Sequence, residues 1–147
     1  MDQSPVGTWK IISTEVRGED GSITYPDGRD PKGYLIYGED GYFSLAIMRS
    51  GRTSYASGDF RGGTTEEKAA AADSFVAYCG KYSMGEGTVT HHIEVSLYPN
   101  WVGTQQERFI ETIDERLYLS TPPFLINDKS QTAHLIWERV NDTPDLK

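Results

Sequence analysis

Apolar and polar residues alternate most regularly between Thr88 and Tyr98. One face carries Val89, His91, Ile93, Val95 and Leu97, and the other carries Thr90, His92, Glu94, Ser96 and Tyr98. A period of two predicts a strand with one face in a core. The turn-forming residues 99–103 follow, and a second run over 104–113 predicts the partner strand of an antiparallel hairpin.

Similar alternation predicts most of the remaining chain to be strand. The predicted strands are 6–17, 33–37, 42–49, 81–84, 116–121 and 131–140, with a brief extended segment at 23–25. Glycines at both ends of 38–41 predict a second hairpin. Residues 22–32, with two prolines, read as a long loop that can act as a lid or plug, and 50–63 and 124–130 read as further loops.

One segment, 64–79, has the pattern of a helix. Thr64 and Glu67 fit a capping box, the alanine run 69–72 favours helix, and Gly80 fits a C-terminal stop. The pattern predicts that this helix lies against the sheet. Phe75 and Tyr78 are then expected to be packing residues.

The order of the elements predicts a mainly β protein. About eight antiparallel strands and one helix, with few parallel crossovers, are most simply arranged as a closed up-and-down barrel, which leaves no sheet edge exposed. We expect one domain over residues 1–147, with a core of about 5–140. The polar tail 141–147 is expected to be disordered.

Composition narrows the possible partners. The formal net charge of -8 and the scattered 14 basic residues argue against nucleic acid and against an anionic membrane. No apolar run reaches the roughly 20 residues that span a bilayer, and no signal peptide is evident at the start. The lone Cys79 allows no intrachain disulfide. We therefore expect a cytoplasmic monomer or homodimer.

Two features are similar to a pattern of the lipocalin and calycin barrels. They are the motif Gly7-Thr8-Trp9 on the first predicted strand and Arg139 near the end of the last strand. Four further segments together resemble the lipocalin-like domain family over about residues 5 to 140. They are GYLIYGEDGYFS, VAYCGKY, VTHHIEVSLYPNWVGT and LYLSTPP. The resemblance implies a barrel whose arginine packs across the tryptophan at the closed end. It also implies either ligand binding or, as in some related barrels, cyclase or isomerase chemistry on natural-product intermediates.

The adjacent His91 and His92 must point to opposite faces of their strand, so that only one can enter the barrel. If the apolar face is inside, the inner residue is His91. Alternatively the interior is polar, and Glu94 pairs there with Arg108 beside His92 to hold an oxygenated substrate. The candidate acid and base residues are therefore His91, His92 and Glu94.

No cofactor or metal site is predicted. His92, Glu94 and His134 are the only plausible metal set, and they lack dense ligand spacing, so we interpret them as ordinary strand residues. The glycine-rich segment 61–63 does not have the spacing of a phosphate loop. No nucleophile motif such as G-x-S-x-G or C-x-x-C is present.

Nine tyrosines and three tryptophans can supply an aromatic pocket with hydroxyl donors. The first hypothesis is a barrel that binds a small, largely apolar organic molecule. The alternative is a cofactor-free cyclase or isomerase that acts on a polyketide- or terpenoid-like intermediate. The residues expected to contact the ligand are Arg108, Tyr34, Met48, Tyr82, Tyr118 and Trp101.

Overall fold

The structure, a computed structural model, describes residues 4–141. Most of the expected tail, residues 142–147, therefore lies outside the described residues. The elements are β1 Gly7–Gly18, β2 Ile23–Thr24, β3 Lys32–Tyr37, β4 Tyr42–Met48, helix α1 Thr65–Asp73, β5 Phe75–Met84, β6 Thr88–Ser96, a 3-10 turn Pro99–Trp101, β7 Gln105–Ile113, β8 Arg116–Ser120, β9 Phe124–Ile126 and β10 Lys129–Arg139.

The strands form a closed antiparallel barrel. Its eight strands follow the order β1-β3-β4-β5-β6-β7-β8-β10, and β10 pairs back onto β1. The short strands β2 and β9 add to the edges of β1 and β10. The fold prediction of a closed eight-stranded barrel with one helix is confirmed. Within residues 4–141, no helix is long and apolar enough to cross a bilayer.

Both predicted hairpins form. β3 pairs with β4 around the turn at 38–41, and β6 pairs with β7 around the turn that contains the 3-10 helix. The predicted loop 124–130 is wrong in part, because β9 and the start of β10 fall within it. Their turn uses Asn127 and Asp128 at positive φ, a conformation that Asn and Asp tolerate better than most residues, and it pairs Ile126 with Lys129.

The helix is correct at its start and wrong at its end. The Thr64 hydroxyl accepts from the Glu67 N–H at 3.1 Å, and the Glu67 carboxylate accepts from the Thr64 N–H at 2.9 Å, which is the predicted capping box. The helix ends at Asp73, and residues 75–84 form β5 instead. The β-favouring residues of 75–79 pair with β4 there, because a helix through Cys79 would leave β4 without its neighbour.

Two β-bulges shift the alternation that the sequence suggests. In β1 the register with β10 shifts between Ile11 and Ser13, and in β6 the register with β5 shifts at a point opposite Cys79 and Gly80. Val89, His91 and Ile93 lie inside, which is the first of the two alternatives, whereas beyond the bulge Val95 is 63% exposed and Leu97 is 45% exposed. A bulge re-aims every side chain that follows it, which a strict period of two cannot anticipate.

One end of the barrel is filled by side chains. Trp9, Tyr37, Leu117 and Trp137 are almost completely buried in the core cluster. The guanidinium of Arg139 lies 4.2 Å from the centre of the Trp9 ring and donates to the Val6 carbonyl at 3.0 Å. This is the arrangement that the resemblance implied. Gly7 has a φ of +132° and leaves room for Arg139, since a Cβ there would lie 2.8 Å from Nη1.

Candidate functional site

A cavity of about 590 Å³ occupies the half of the barrel opposite Trp9. Aliphatic and aromatic side chains make up most of its wall: Val16, Leu45, Ile47, Val76, Tyr78, Trp101, Leu119, Phe124 and Leu135 among others. Its volume lies within the range of pockets that hold drug-sized molecules. The cavity is therefore large enough and apolar enough for a small organic ligand.

Arg108 is the one basic side chain that lines this cavity in the described part of the chain. It is 5% exposed and forms no ion pair with any carboxylate of residues 4–141. One of its five N–H donors, on Nη1, bonds the Glu107 carbonyl at 3.1 Å. A buried guanidinium is costly unless its charge is compensated, so Arg108 is suited to bind an acceptor oxygen of a ligand.

Aromatic rings surround this guanidinium. Its Cζ lies 5.3 Å from the centre of the Trp101 ring, and Trp101 packs edge-on against Tyr78 with centroids 5.3 Å apart. Burial raises the pKa of Tyr78, while Arg108 beside its hydroxyl acts in the opposite direction. The phenol therefore stays protonated at neutral pH. Tyr78 can donate a hydrogen bond next to the guanidinium.

At the mouth of the cavity, the loop after β2 contributes Asp27. The Gly28 N–H bonds the Tyr25 carbonyl at 2.9 Å, and the Arg49 guanidinium donates to the Pro26 carbonyl at 2.8 Å, which ties this turn to the end of β4. Pro26 and Asp27 of the predicted lid loop thus line the cavity. Asp27 is half-buried, and burial raises the pKa of its carboxyl.

His91 lies in the filled half of the barrel. Its ring stacks on Phe43 with centroids 4.1 Å apart, and its Nε2 lies 2.7 Å from the Tyr37 hydroxyl. Its Nδ1 is buried without a hydrogen-bond partner among residues 4–141. Burial, and to a lesser degree the nearby Arg108, lower the pKa of His91 to about 3. His91 is therefore neutral at physiological pH and is a core residue that does not line the cavity.

The depressed pKa of His91 predicts a dependence of stability on pH. His91 takes up a proton near pH 6.5 in the unfolded chain and only near pH 3 in the folded chain. The free energy of unfolding therefore decreases as the pH falls between these values. The contribution of His91 decreases by up to about 1.4 kcal/mol per pH unit in this window. Urea unfolding at several pH values measures this slope.

Carboxylates also titrate in this window, so the test compares variants. His91→Gln should flatten the dependence, because its unfolded state no longer gains the proton. His92→Gln is the control because it removes the neighbouring histidine on the outer face and leaves His91 in place, and its slope should stay steeper than that of His91→Gln. Equal slopes for the wild type and His91→Gln would mean that His91 is protonated in the folded state.

The other predicted acid and base residues face away from the cavity. His92 contacts Ser83, with Nε2 and Oγ 3.2 Å apart, and Glu94 lies 4.0 Å from the Lys81 ammonium at the surface. The alternative of a Glu94 and Arg108 pair inside the barrel is therefore wrong. His134 bonds Thr132, and no group of three or more His, Cys, Asp or Glu side chains converges as a metal site within residues 4–141.

The six residues predicted to contact ligand divide into two groups. Arg108 and Trp101 line the cavity. Tyr34 and Met48 are on the outside, 51% and 38% exposed, and Tyr118 alternates with the buried Leu117 and Leu119 and so also faces out. Tyr82 packs on Tyr37 and donates to the Gly38 carbonyl at 2.7 Å, apart from the cavity.

The polar residues of the cavity that sequence reasoning missed include Thr14, Asp27 and Tyr78. Tyr78 was assigned to packing because the helix was predicted to include it. Thr14 faces inward because of the bulge in β1, and the spacing of five between the apolar Ile11 and Val16 is the sequence signal of that shift. Asp27 lies in a loop whose path no local pattern specifies.

Comparison with known proteins adds a family and a relative. The lipocalin-like domain family matches residues 6–140. The 4'-hydroxy-3'-methoxypropiophenone carrier protein ppsC of Aspergillus oryzae is 34% identical in an alignment of 106 residues that covers 66% of this chain and 96% of that protein. An uncharacterized protein from Bacteroides eggerthii aligns with a TM-score of 0.46 and 13% identity over 92% of this chain and 99% of the other.

Proposed function

Since the chain belongs to the lipocalin-like domain family, we propose that it binds a small, largely apolar organic molecule with a polar oxygen in the cavity of its barrel. The observation that carries this proposal is Arg108, a buried guanidinium without a carboxylate partner in residues 4–141 that lies beside an apolar cavity of about 590 Å³. A carbonyl, phenolate or carboxylate oxygen of the ligand would satisfy its donors.

The relative suggests the chemical class of this ligand. The Aspergillus oryzae protein is named as the carrier of an aryl ketone. An aromatic ring matches the wall built by Trp101, Tyr78 and Phe124, and a ketone oxygen matches the donors of Arg108 and Tyr78. We therefore propose an aryl ketone or a similar polyketide-like aromatic as the ligand, and carriage as the function.

The alternative function, a cofactor-free cyclase or isomerase, has less support. Acid–base catalysis needs the groups within hydrogen-bond reach of one substrate. His91 is in the filled core, and His92 and Glu94 are on the outer face, so these three share no site. A binding role requires only the cavity and a donor, here Arg108, for an oxygen of the ligand. The lone, free Cys79 fits the cytoplasmic location that we propose for this carrier.

Titration with 4-hydroxypropiophenone tests the proposal. Only Trp101 of the three tryptophans lines the cavity, since Trp9 and Trp137 are in the core, so binding should change tryptophan fluorescence through this residue. We expect saturable one-to-one binding with a Kd of roughly 1–100 µM, given the usual affinity per atom of small ligands. Calorimetry measures the same Kd without relying on fluorescence.

The Trp101→Phe variant is the matched control. It should lose most of the fluorescence change and still bind in the calorimeter, because phenylalanine keeps an aromatic wall. The proposed function would be contradicted if neither method detects saturation of the folded wild-type protein at 1 mM ketone.

A further inference from the structure

The mouth of the cavity holds a second pair of polar groups, Thr14 and Asp27, separate from Arg108. Thr14 is 4% exposed, and its hydroxyl oxygen has no hydrogen-bond partner of ordinary geometry in the described part of the chain. It is nevertheless close enough to the Asp27 carboxyl to lower its pKa. Both residues line the cavity. A buried hydroxyl that acts on a half-buried carboxylate without reaching ordinary hydrogen-bond geometry is an incomplete hydrogen-bonding arrangement.

Asp27 differs from the other acidic residues at this mouth. Glu15 bonds the Arg17 guanidinium at 2.6 Å, and Asp73 is exposed at the end of α1. Asp27 is half-buried and makes no ion pair within residues 4–141, and the Arg49 side chain below it is bonded to the Pro26 carbonyl. Because a carboxylate can accept several hydrogen bonds, its oxygens can take a further donor beside Thr14.

The two polar regions lie on strands that are not neighbours, because Thr14 is on β1, Arg108 is on β7, and β8 and β10 lie between these strands. Arg108 is close to the buried Tyr37 and His91, on which its charge acts. Thr14 and Arg49 lower the pKa of Asp27, and Arg108 is not among the groups that act on this pKa. The backbone agrees, because β2 pairs Thr24 with Val16, so the following turn passes over the Thr14 end of β1.

We propose that Asp27 and Thr14 form a second ligand subsite, which selects molecules that carry a hydroxyl donor at the end opposite the oxygen bound by Arg108. This inference rests on the proposed function and names its ligand class more closely, as aromatic ketones with a hydroxyl at the far end of the ring. The Asp27 carboxylate accepts from that hydroxyl, and the Thr14 hydroxyl donates to the carboxylate and so holds it in place.

Two matched ketones test the subsite. In 4-fluoropropiophenone, fluorine replaces the hydroxyl of 4-hydroxypropiophenone at similar size and cannot donate a hydrogen bond. The wild-type protein should bind the hydroxyl compound roughly tenfold more tightly, the usual effect of a hydrogen bond to a charged group. Asp27→Ala and the near-isosteric Thr14→Val should each lower this preference, and neither should change the Kd of the fluoro compound more than about twofold.

Asp30→Ala is the control, since it removes the same charge from the same loop at a residue that does not line the cavity. It should leave both Kd values unchanged. Equal binding of the two ketones by the wild type would overturn the subsite. A loss of affinity in Asp27→Ala that is equal for the two ketones would overturn it as well. If neither ketone binds the wild-type protein, the proposed function itself fails, and the subsite with it.

Discussion

Replacing Arg108 with methionine is expected to weaken the binding of 4-hydroxypropiophenone by about 10- to 100-fold, because the variant loses a charged hydrogen-bond donor to the ligand oxygen. Methionine keeps the length and apolar stem of the side chain, so the cavity should not collapse. Calorimetric Kd values of the wild type and the variant measure the effect. Propylbenzene, which has no oxygen, should bind both proteins alike.

The same substitution is expected to leave stability unchanged or to increase it. Arg108 is 5% exposed and has no carboxylate partner in residues 4–141, so the folded protein bears the cost of desolvating its charge. Replacing a buried charge by an apolar side chain of similar size often stabilises a protein by about 1–3 kcal/mol. Loss of binding together with a gain in stability is typical of a residue kept for function.

Arg116→Met is the control, because Arg116 is exposed on the outside of β8 and does not line the cavity. It should change neither the Kd nor the free energy of unfolding by much. A structural role for Arg108 predicts the reverse pattern, in which Arg108→Met lowers the melting temperature and keeps its affinity for the ketone. That outcome would remove the main support for the proposed ligand site.

The parts of the fold that the sequence predicts correctly are those with local signals. The turn at 38–41 places glycines at both ends, Thr64 and Glu67 define the start of the helix, and Trp9 with Arg139 marks the closed end. Each of these depends on residues a few positions apart or on a motif. For the same reason Arg108 and Trp101 could be chosen, since a charge in a predicted half-buried strand and a tryptophan in the turn before that strand are unusual enough to be noticed.

The parts of the fold and of the site that the sequence does not predict depend on contacts between distant segments. Tyr78 reads as helical or extended from its neighbours alone, and only pairing of β5 with β4 decides between the two. Likewise Thr14 faces the cavity because β1 bulges against β10, and the position of Asp27 depends on Arg49. The polar groups of the cavity thus come from bulges and loops, where the period of two gives no guide.

Gly80→Ala is expected to destabilise the protein by about 3 kcal/mol or more, as a severe overpacking of backbone against backbone. Gly80 lies inside β5 at the bulge, and an added Cβ would be 2.0 Å from the His92 carbonyl oxygen and 3.0 Å from the Glu94 nitrogen. Neither atom belongs to a flexible side chain, so β5 and β6 would have to separate. Urea unfolding monitored by circular dichroism measures the loss.

The comparison with Gly58→Ala separates this clash from a general effect of alanine. Gly58 lies in the loop between β4 and α1, has no positive φ and has open space around its Cα, so alanine should be tolerated there. If Gly80 instead ended a helix through Cys79, as the sequence suggests, alanine would cost about 1 kcal/mol at that position. A loss of stability in Gly80→Ala that is no larger than this would favour a helix through Cys79. The barrel would then lack the neighbour of β4. A much larger loss would support the strand that carries Tyr78 to the cavity beside Arg108.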